Sequence, residues 1–272
     1  MKTRIISGIL VIVAMLLTVA LSGVPFVLNG IMAAVAAVAV YEIFRVAKIH
    51  TRKLLTAGAI VFTAAFVFCS DPIIPFYREI KILGTFLLIL AAFTYYLRGY
   101  RSVPVPDMAF ALVMTLLVAS FFSCTVLTRK TEFGFFNLVW IFLLAWIPDT
   151  GAYFCGSAFG KHKLAPVISP KKTVEGAVGG LIFCVGVAFL FVWLVSLTGA
   201  EIRYWLVPLY AIPGTLISIL GDLTASLIKR YYKIKDYGNL IPGHGGIMDR
   251  FDSIWFVSPF VYLMISLLPI FS

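Results

Sequence analysis

Apolar residues occupy this chain in long blocks, roughly 5–22, 26–44, 54–69, 80–97, 108–127, 134–158, 174–198, 204–228 and 252–271. A helix crossing the roughly 30 Å hydrocarbon core of a bilayer needs about 20 such residues. Strands of a membrane barrel alternate apolar and polar positions over about ten residues, and none of these blocks alternates. The pattern predicts an all-α polytopic integral membrane protein of about nine transmembrane helices. Proline and charge punctuate the gaps, at Pro25 and in 45–53, 71–81, 98–107 and 129–132. No repeat, low-complexity tract or soluble appendage interrupts the pattern. Residues 1–272 therefore read as a single membrane domain, with spans 1–5 in 1–130 and spans 6–9 in 131–272. Lys2 and Arg4 ahead of the first block, with Ala20 and Ser22 at its end, have the layout of a signal peptide. More spans follow at once, so an uncleaved first span is the expectation.

Composition agrees. The chain is 61% hydrophobic and 12% charged, with a mean hydropathy of +1.03, against about 25% charged residues in soluble domains. The net charge of +10 invites a nucleic-acid reading, which the distribution removes. With the N-terminus in the cytoplasm and sides alternating, 17 of the 22 Lys and Arg fall inside, among them Lys2, Arg4, Arg45, Lys48, Arg98 and Arg101. Excess basic residues in cytoplasmic loops are the normal membrane pattern. Cys69, Cys124, Cys155 and Cys184 are far apart and lie in or beside apolar runs, with no CxxC. They are expected to be free thiols acting as small hydrophobes.

Two of the inside segments differ from the rest by mixing acids, bases, glycines and hydroxyls: 149–175 and 221–253. Within a continuing helix, Asp222, Ser226 and Lys229 lie at i, i+4 and i+7, on one face, with Arg230 close to it. An acid near the end of a span needs protein, water or a cation, and such acids are usually functional; an internal salt bridge is the alternative. Pro242, Gly243, Gly245 and Gly246 surround His244 and permit a tight turn. A helix is expected from Ile247, with Asp249 and Asp252 at i, i+3 on its face. Those carboxylates either favour the helix N-terminus or converge with Asp222 on a hard cation such as Mg²⁺. His244 suits a phosphate contact or a structural hydrogen bond. His50 and His162 look like solvated or headgroup contacts in basic loops.

In the other segment Asp149 follows Pro148, expected to break or kink the sixth span. Gly156, Gly160 and Lys161 do not make a P-loop, because the spacing is wrong and no Ser or Thr follows the lysine. In Ser169-Pro-Lys-Lys-Thr173, Thr173 can cap the next helix with Glu175 in its first turn. Two lysines and two hydroxyls there can also bind an anion, and Lys171 and Lys172 can attract lipid headgroups. Gly176, Gly179 and Gly180 permit close helix packing.

The stretch Ser226-Leu-Ile-Lys-Arg-x4-Lys235-Asp236-x-Gly238-x2-Ile241-Pro-x-His244-Gly-Gly-Ile-x-Asp249-Arg-Phe-Asp252 resembles the full signature of the phosphatidate cytidylyltransferases, or CDP-diacylglycerol synthases. The 149–176 segment is similar to that family too, while the first five spans carry no matching motif. The resemblance implies that CTP and phosphatidate give CDP-diacylglycerol and pyrophosphate, with Mg²⁺ required and a monovalent cation such as K⁺ assisting. It also implies a homodimer in the bacterial cytoplasmic membrane, with its site facing the cytoplasm and no nucleic-acid partner.

Under this reading Asp222, Lys229, Asp249, Arg250 and Asp252 are the expected catalytic set. Ser169, Lys171, Lys172, Thr173, Ser226, Arg230 and His244 would bind substrate. Asp222 and Asp249 would hold the metal, with Asp252 and Asp149 as additional or supporting ligands. Asp236 belongs to the signature without an assigned role. The rivals are a CTP-dependent lipid kinase of polyprenol type, which would move the γ-phosphate, and a cation-coupled transporter, whose acids would be spread near mid-membrane.

Overall fold

The computed structural model describes residues 2–99 and 103–271; Arg101, counted above among the inside charges, lies outside the described residues. The elements are α1 (Lys2–Leu21), α2 (Val27–Val46), α3 (Lys53–Phe68), α4 (Tyr77–Arg98), α5 (Val105–Arg129), α6 (Gly134–Phe159), β1 (Lys163–Ala165), β2 (Ser169–Thr173), α7 (Val174–Ser196), α8 (Val207–Tyr231), α9 (Met248–Phe251) and α10 (Ile254–Leu267). Six helical segments among the described residues are long and apolar enough to cross a membrane: Val27–Val46, Tyr77–Arg98, Val105–Arg129, Gly134–Phe159, Val174–Ser196 and Tyr204–Tyr231. The protein is thus a multi-pass, predominantly α-helical membrane protein. Three apolar blocks make shorter helices among the described residues, the first of them over Ser7–Leu21. With 16 residues α3 is about 24 Å long, and with 14 residues α10 is about 21 Å, short of the roughly 30 Å hydrocarbon core.

The chain forms two compact units, residues 1–130 with 232–251, and residues 131–231 with 252–272. In the first, α2 packs on α3 and α5. Its Met32, Ala36, Ala39, Val40 and Ile43 recur every three or four residues and are fully buried, so small side chains bring the helices close. The buried Asp71 ties this unit together, accepting from Lys130 Nζ at 2.9 Å, Asn29 Nδ2 at 3.2 Å and Ile73 N at 3.0 Å. In α4, by contrast, Ala92 alone of the described residues is buried.

The second unit centres on α6 against α7, with α8 and α10 packed on them. Glycines set the spacing. A Cβ on Gly180 would run into the Pro148 carbonyl, and one on Gly179 into the Cys155 side chain. Of the break or kink expected at Pro148, the break does not occur: α6 runs through it from Gly134 to Phe159. A helix in a membrane protein tolerates the one lost N–H when neighbouring elements re-satisfy the backbone. The helices are supplemented by a short antiparallel ribbon pairing Lys163 with Thr173 and Ala165 with Ser169. All four cysteines are free thiols.

Candidate active site

In the second unit, three elements bring charge to one point. Asp149 comes from α6, Lys172 from β2 and Asp222 from α8. Lys172 Nζ lies 3.3 Å from Asp149 Oδ1 and 2.5 Å from Asp222 Oδ2. Successive residues of a strand point to opposite sides, so Lys171 is exposed while Lys172 turns into the acids. Burial pulls the Lys172 pKa down, but the Asp149 and then the Asp222 carboxylate more than offset this and hold it above the ordinary lysine value. Asp252 stands close to Asp222, and Lys229, buried farther along α8, lends positive potential to both. A cavity of about 180 Å³ opens beside this cluster, lined by Asp149, Tyr153, Lys171, Lys172 and Thr173 among others.

The surroundings hold the ribbon in place. Thr173 is the N-cap of α7, its Oγ1 accepting from Gly176 N at 3.1 Å, as its position in the sequence predicts. Glu175 does more than sit in the first turn. It accepts from Lys161 N and His162 N, and meets His162 Nδ1 at 2.6 Å. His162, expected as a solvated or headgroup contact, is paired with Glu175 while its ring remains exposed. Arg230 Nε donates to Ile168 O at 3.1 Å and steadies the ribbon turn. Ser169 is half-buried on β2, and Ser226 is buried on α8.

The chemistry of this donor set fits a hard cation. Two carboxylates this close repel one another, and a cation between them relieves the repulsion. Lys172 already brings one positive charge to Asp149 and Asp222. Among the described residues no three His, Cys, Asp or Glu side chains form a ready metal cage. Mg²⁺ is usually held by only one or two carboxylates together with substrate phosphates.

The other expected site residues belong to the first unit, His244 in the loop between α8 and α9 and Asp249 and Arg250 on α9 itself. Asp249 Oδ2 accepts from Tyr237 N at 2.8 Å and Gly246 N at 2.9 Å. Gly243 and Gly245 have φ of 78° and 86°, a left-handed backbone that favours glycine, and Ile241 N closes the turn on Gly245 O at 2.9 Å. Arg250 Nε donates to His244 O at 3.0 Å. Ser7 Oγ donates to the Pro242 carbonyl at 2.8 Å, so His244 Nδ1, also at 2.8 Å, is the donor to Ser7. Asp236 is exposed. The helix expected to run on from Ile247 stops at Phe251 and resumes at Ile254. Asp249 and Asp252 therefore do not share one helix face: Asp249 lies in the first unit and Asp252 in the second.

Two residues escaped the sequence reading. Ser7 carried no signal. Glu42 did: it is an acid in the apolar run of α2, the same anomaly that drew attention to Asp222. Its Oε1 accepts from Ile247 N at 3.0 Å and its Oε2 from Met248 N at 2.8 Å.

The profile of the cytidylyltransferase family matches residues 2–268. The chain belongs to that family. The phosphatidate cytidylyltransferase of Bacillus subtilis (strain 168) is 32% identical over 275 residues, covering 98% of each chain. That of Haemophilus influenzae is 32% identical over 286 residues, covering 96% of each. In Staphylococcus haemolyticus the enzyme of that name is 42% identical over 159 residues, covering 58% of this chain and 59% of the relative. As a cytidylyltransferase the protein is a nucleotidyl-transferring enzyme, which removes the transporter reading.

Proposed function

We propose that the protein transfers the cytidylyl group of CTP to phosphatidate, giving CDP-diacylglycerol and pyrophosphate. The observation that carries this is the Asp149–Lys172–Asp222 cluster, with Asp252 and Lys229 beside it, on a small cavity in a chain that matches the family almost end to end. In the reaction a phosphate oxygen of the lipid forms a bond to the α-phosphorus of CTP. The bond from that phosphorus to the bridging oxygen breaks, and its electrons leave with pyrophosphate. The nucleophile is already anionic at neutral pH and needs little help from a base. The barrier lies in bringing two polyanions together and stabilising charge on the α-phosphate and leaving group.

Lys172 and Lys229 supply positive charge within the cluster, while Lys171 at the cavity and Arg230 at the ribbon turn can meet the outer phosphates. Ser169, Thr173 and Ser226 offer hydroxyls, and Thr173 does so as a fixed cap. Asp222 and Asp252, supported by Asp149, would hold Mg²⁺, which would offset phosphate charge when bound; K⁺ would assist. Asp249 is assigned first to holding its own loop, and His244 and Arg250 are proposed as phosphate contacts. Our reading of the setting is a homodimer in the cytoplasmic membrane, each subunit with nine apolar helical segments of which α3 and α10 are shorter than the hydrocarbon core, with N-terminus and site facing the cytoplasm. The bilayer then delivers the lipid, and the cytoplasm the CTP. Labelled CTP tests the reaction. Label from the α-phosphate should appear in the lipid product; label from the γ-phosphate in the lipid would instead establish a kinase.

A further inference from the structure

Glu42 is only 4% exposed and comes from α2, in the part of the chain where no motif was found. Both of its oxygens are used on one short stretch of the signature loop. Oε1 takes Ile247 N and Oε2 takes Met248 N, and hydrogen bonds to a charged acceptor are among the stronger ones available to a backbone. Two glycines of the signature approach the same carboxylate. The nearest atom to a Cβ built on Gly238 would be Glu42 Oε1, and the three nearest to one on Gly246 would all belong to the Glu42 carboxyl group. Neither glycine has a left-handed backbone, unlike Gly243 and Gly245. What positions 238 and 246 require is therefore room. The loop is wrapped around Glu42, and next to it Asp249 binds the same turns from within through Tyr237 N and Gly246 N.

The geometry points to Glu42 as a positioning residue for cytidylyl transfer. It touches no reacting atom in this assignment. It fixes the 237–249 loop, and through it the placement of His244, Asp249 and Arg250. This rests on the cytidylyltransferase reading of that loop, so one readout below is independent of activity. A displacement of about 1 Å in a catalytic group can cost about 10²-fold in rate, and the loss should appear in kcat.

The experiment uses the full-length protein in lipid nanodiscs, with CTP, phosphatidate and Mg²⁺. Glu42→Gln keeps the size of the side chain but turns an NH₂ toward one of the two backbone donors. Its kcat should fall about 10²-fold, with KM for CTP within about threefold of the wild type, and the unfolding temperature should move little. Glu42→Asp keeps both acceptors and should recover much of the loss. Gly246→Ala pushes on the same contact from the other side and should reproduce the kcat defect. Combined with Glu42→Ser, which removes the obstructing carboxylate, it should cost much less than the product of the single defects. Amide hydrogen exchange supplies the independent readout: peptides covering 241–250 should exchange faster in Glu42→Gln, with α5 peptides unchanged. A kcat within threefold of wild type in Glu42→Gln would overturn the inference, as would a loss matched by the unfolded fraction or multiplicative single defects. If the wild type makes no CDP-diacylglycerol, the functional reading fails, and unchanged exchange at 241–250 would separately refute the hold of Glu42 on the loop.

Discussion

Lys172→Met is the substitution that most directly tests how the acidic cluster works. It removes the ammonium and keeps most of the side-chain volume. At an effective dielectric of about 20, unit charges about 4 Å apart attract by about 4 kcal/mol, and Lys172 has two partners closer than that, at 3.3 and 2.5 Å. Desolvation cancels much of this attraction, and a hydrogen bond to a charged group nets about 1.5–3 kcal/mol. The side chain of Asp149 is 46% exposed and that of Asp222 18%, so solvent screens the first contact and the second carries most of the effect. Loss of one preorganised charge donor to a transition state costs about 10²–10³-fold in kcat, or about 2.7–4 kcal/mol. We expect a fall of that size in transfer of α-labelled CMP to phosphatidate. We also expect the Mg²⁺ concentration for half-maximal rate to drop, because Lys172 and the cation draw on the same carboxylates. The assay is product formation against Mg²⁺ at saturating CTP. A kcat within threefold of the wild type with an unchanged Mg²⁺ response would refute the reasoning.

Three further outcomes follow from the same contacts. The folded-state pKa of Lys172 is raised, so its contribution to stability is complete below the unfolded lysine value of about 10.4 and is lost only as pH rises through the folded value. Thermal unfolding of wild type and Lys172→Met should therefore differ by a constant amount from pH 6 to 9 and converge only above that lysine range. Thr173→Ala leaves Gly176 N without its cap and should cost about 1 kcal/mol, measured by denaturant unfolding, whereas Thr173→Ser should be nearly neutral. Asp71→Ala strips the partner from Lys130 and two hydrogen bonds from α2 and the loop after α3. It should destabilise the protein by about 3 kcal/mol, seen as a lowered unfolding temperature, with kcat per folded molecule retained.

The features legible in the sequence are those set by neighbours in the chain. Hydropathy over about 20 residues marks the long helices. Thr173 three residues before Gly176 marks a cap, and Gly243 and Gly245 mark a turn that needs a left-handed backbone. The face shared by Asp222, Ser226 and Lys229 follows from helical periodicity alone, and α8 is continuous through all three. The family signature lies within 27 consecutive residues, and so was readable without any fold.

Contacts between distant parts of the chain were decided by tertiary structure. Lys172 looked like a phosphate or headgroup ligand because local sequence shows only two adjacent lysines. The strand turns them opposite ways, and packing of α6 and α8 places Asp149 and Asp222 at the second one. Pro148 looked like a break or kink because its cost is local, whereas α6 continues through it. The continuous helix expected from Ile247 divides at Asp252 and Ser253, sending Asp249 and Asp252 into different units. Glu42 meets Ile247 across 205 positions of sequence. No periodicity connects such residues. Their pairing depends on burial, which makes a carboxylate in an apolar helix seek whichever backbone donors the folded chain brings to it.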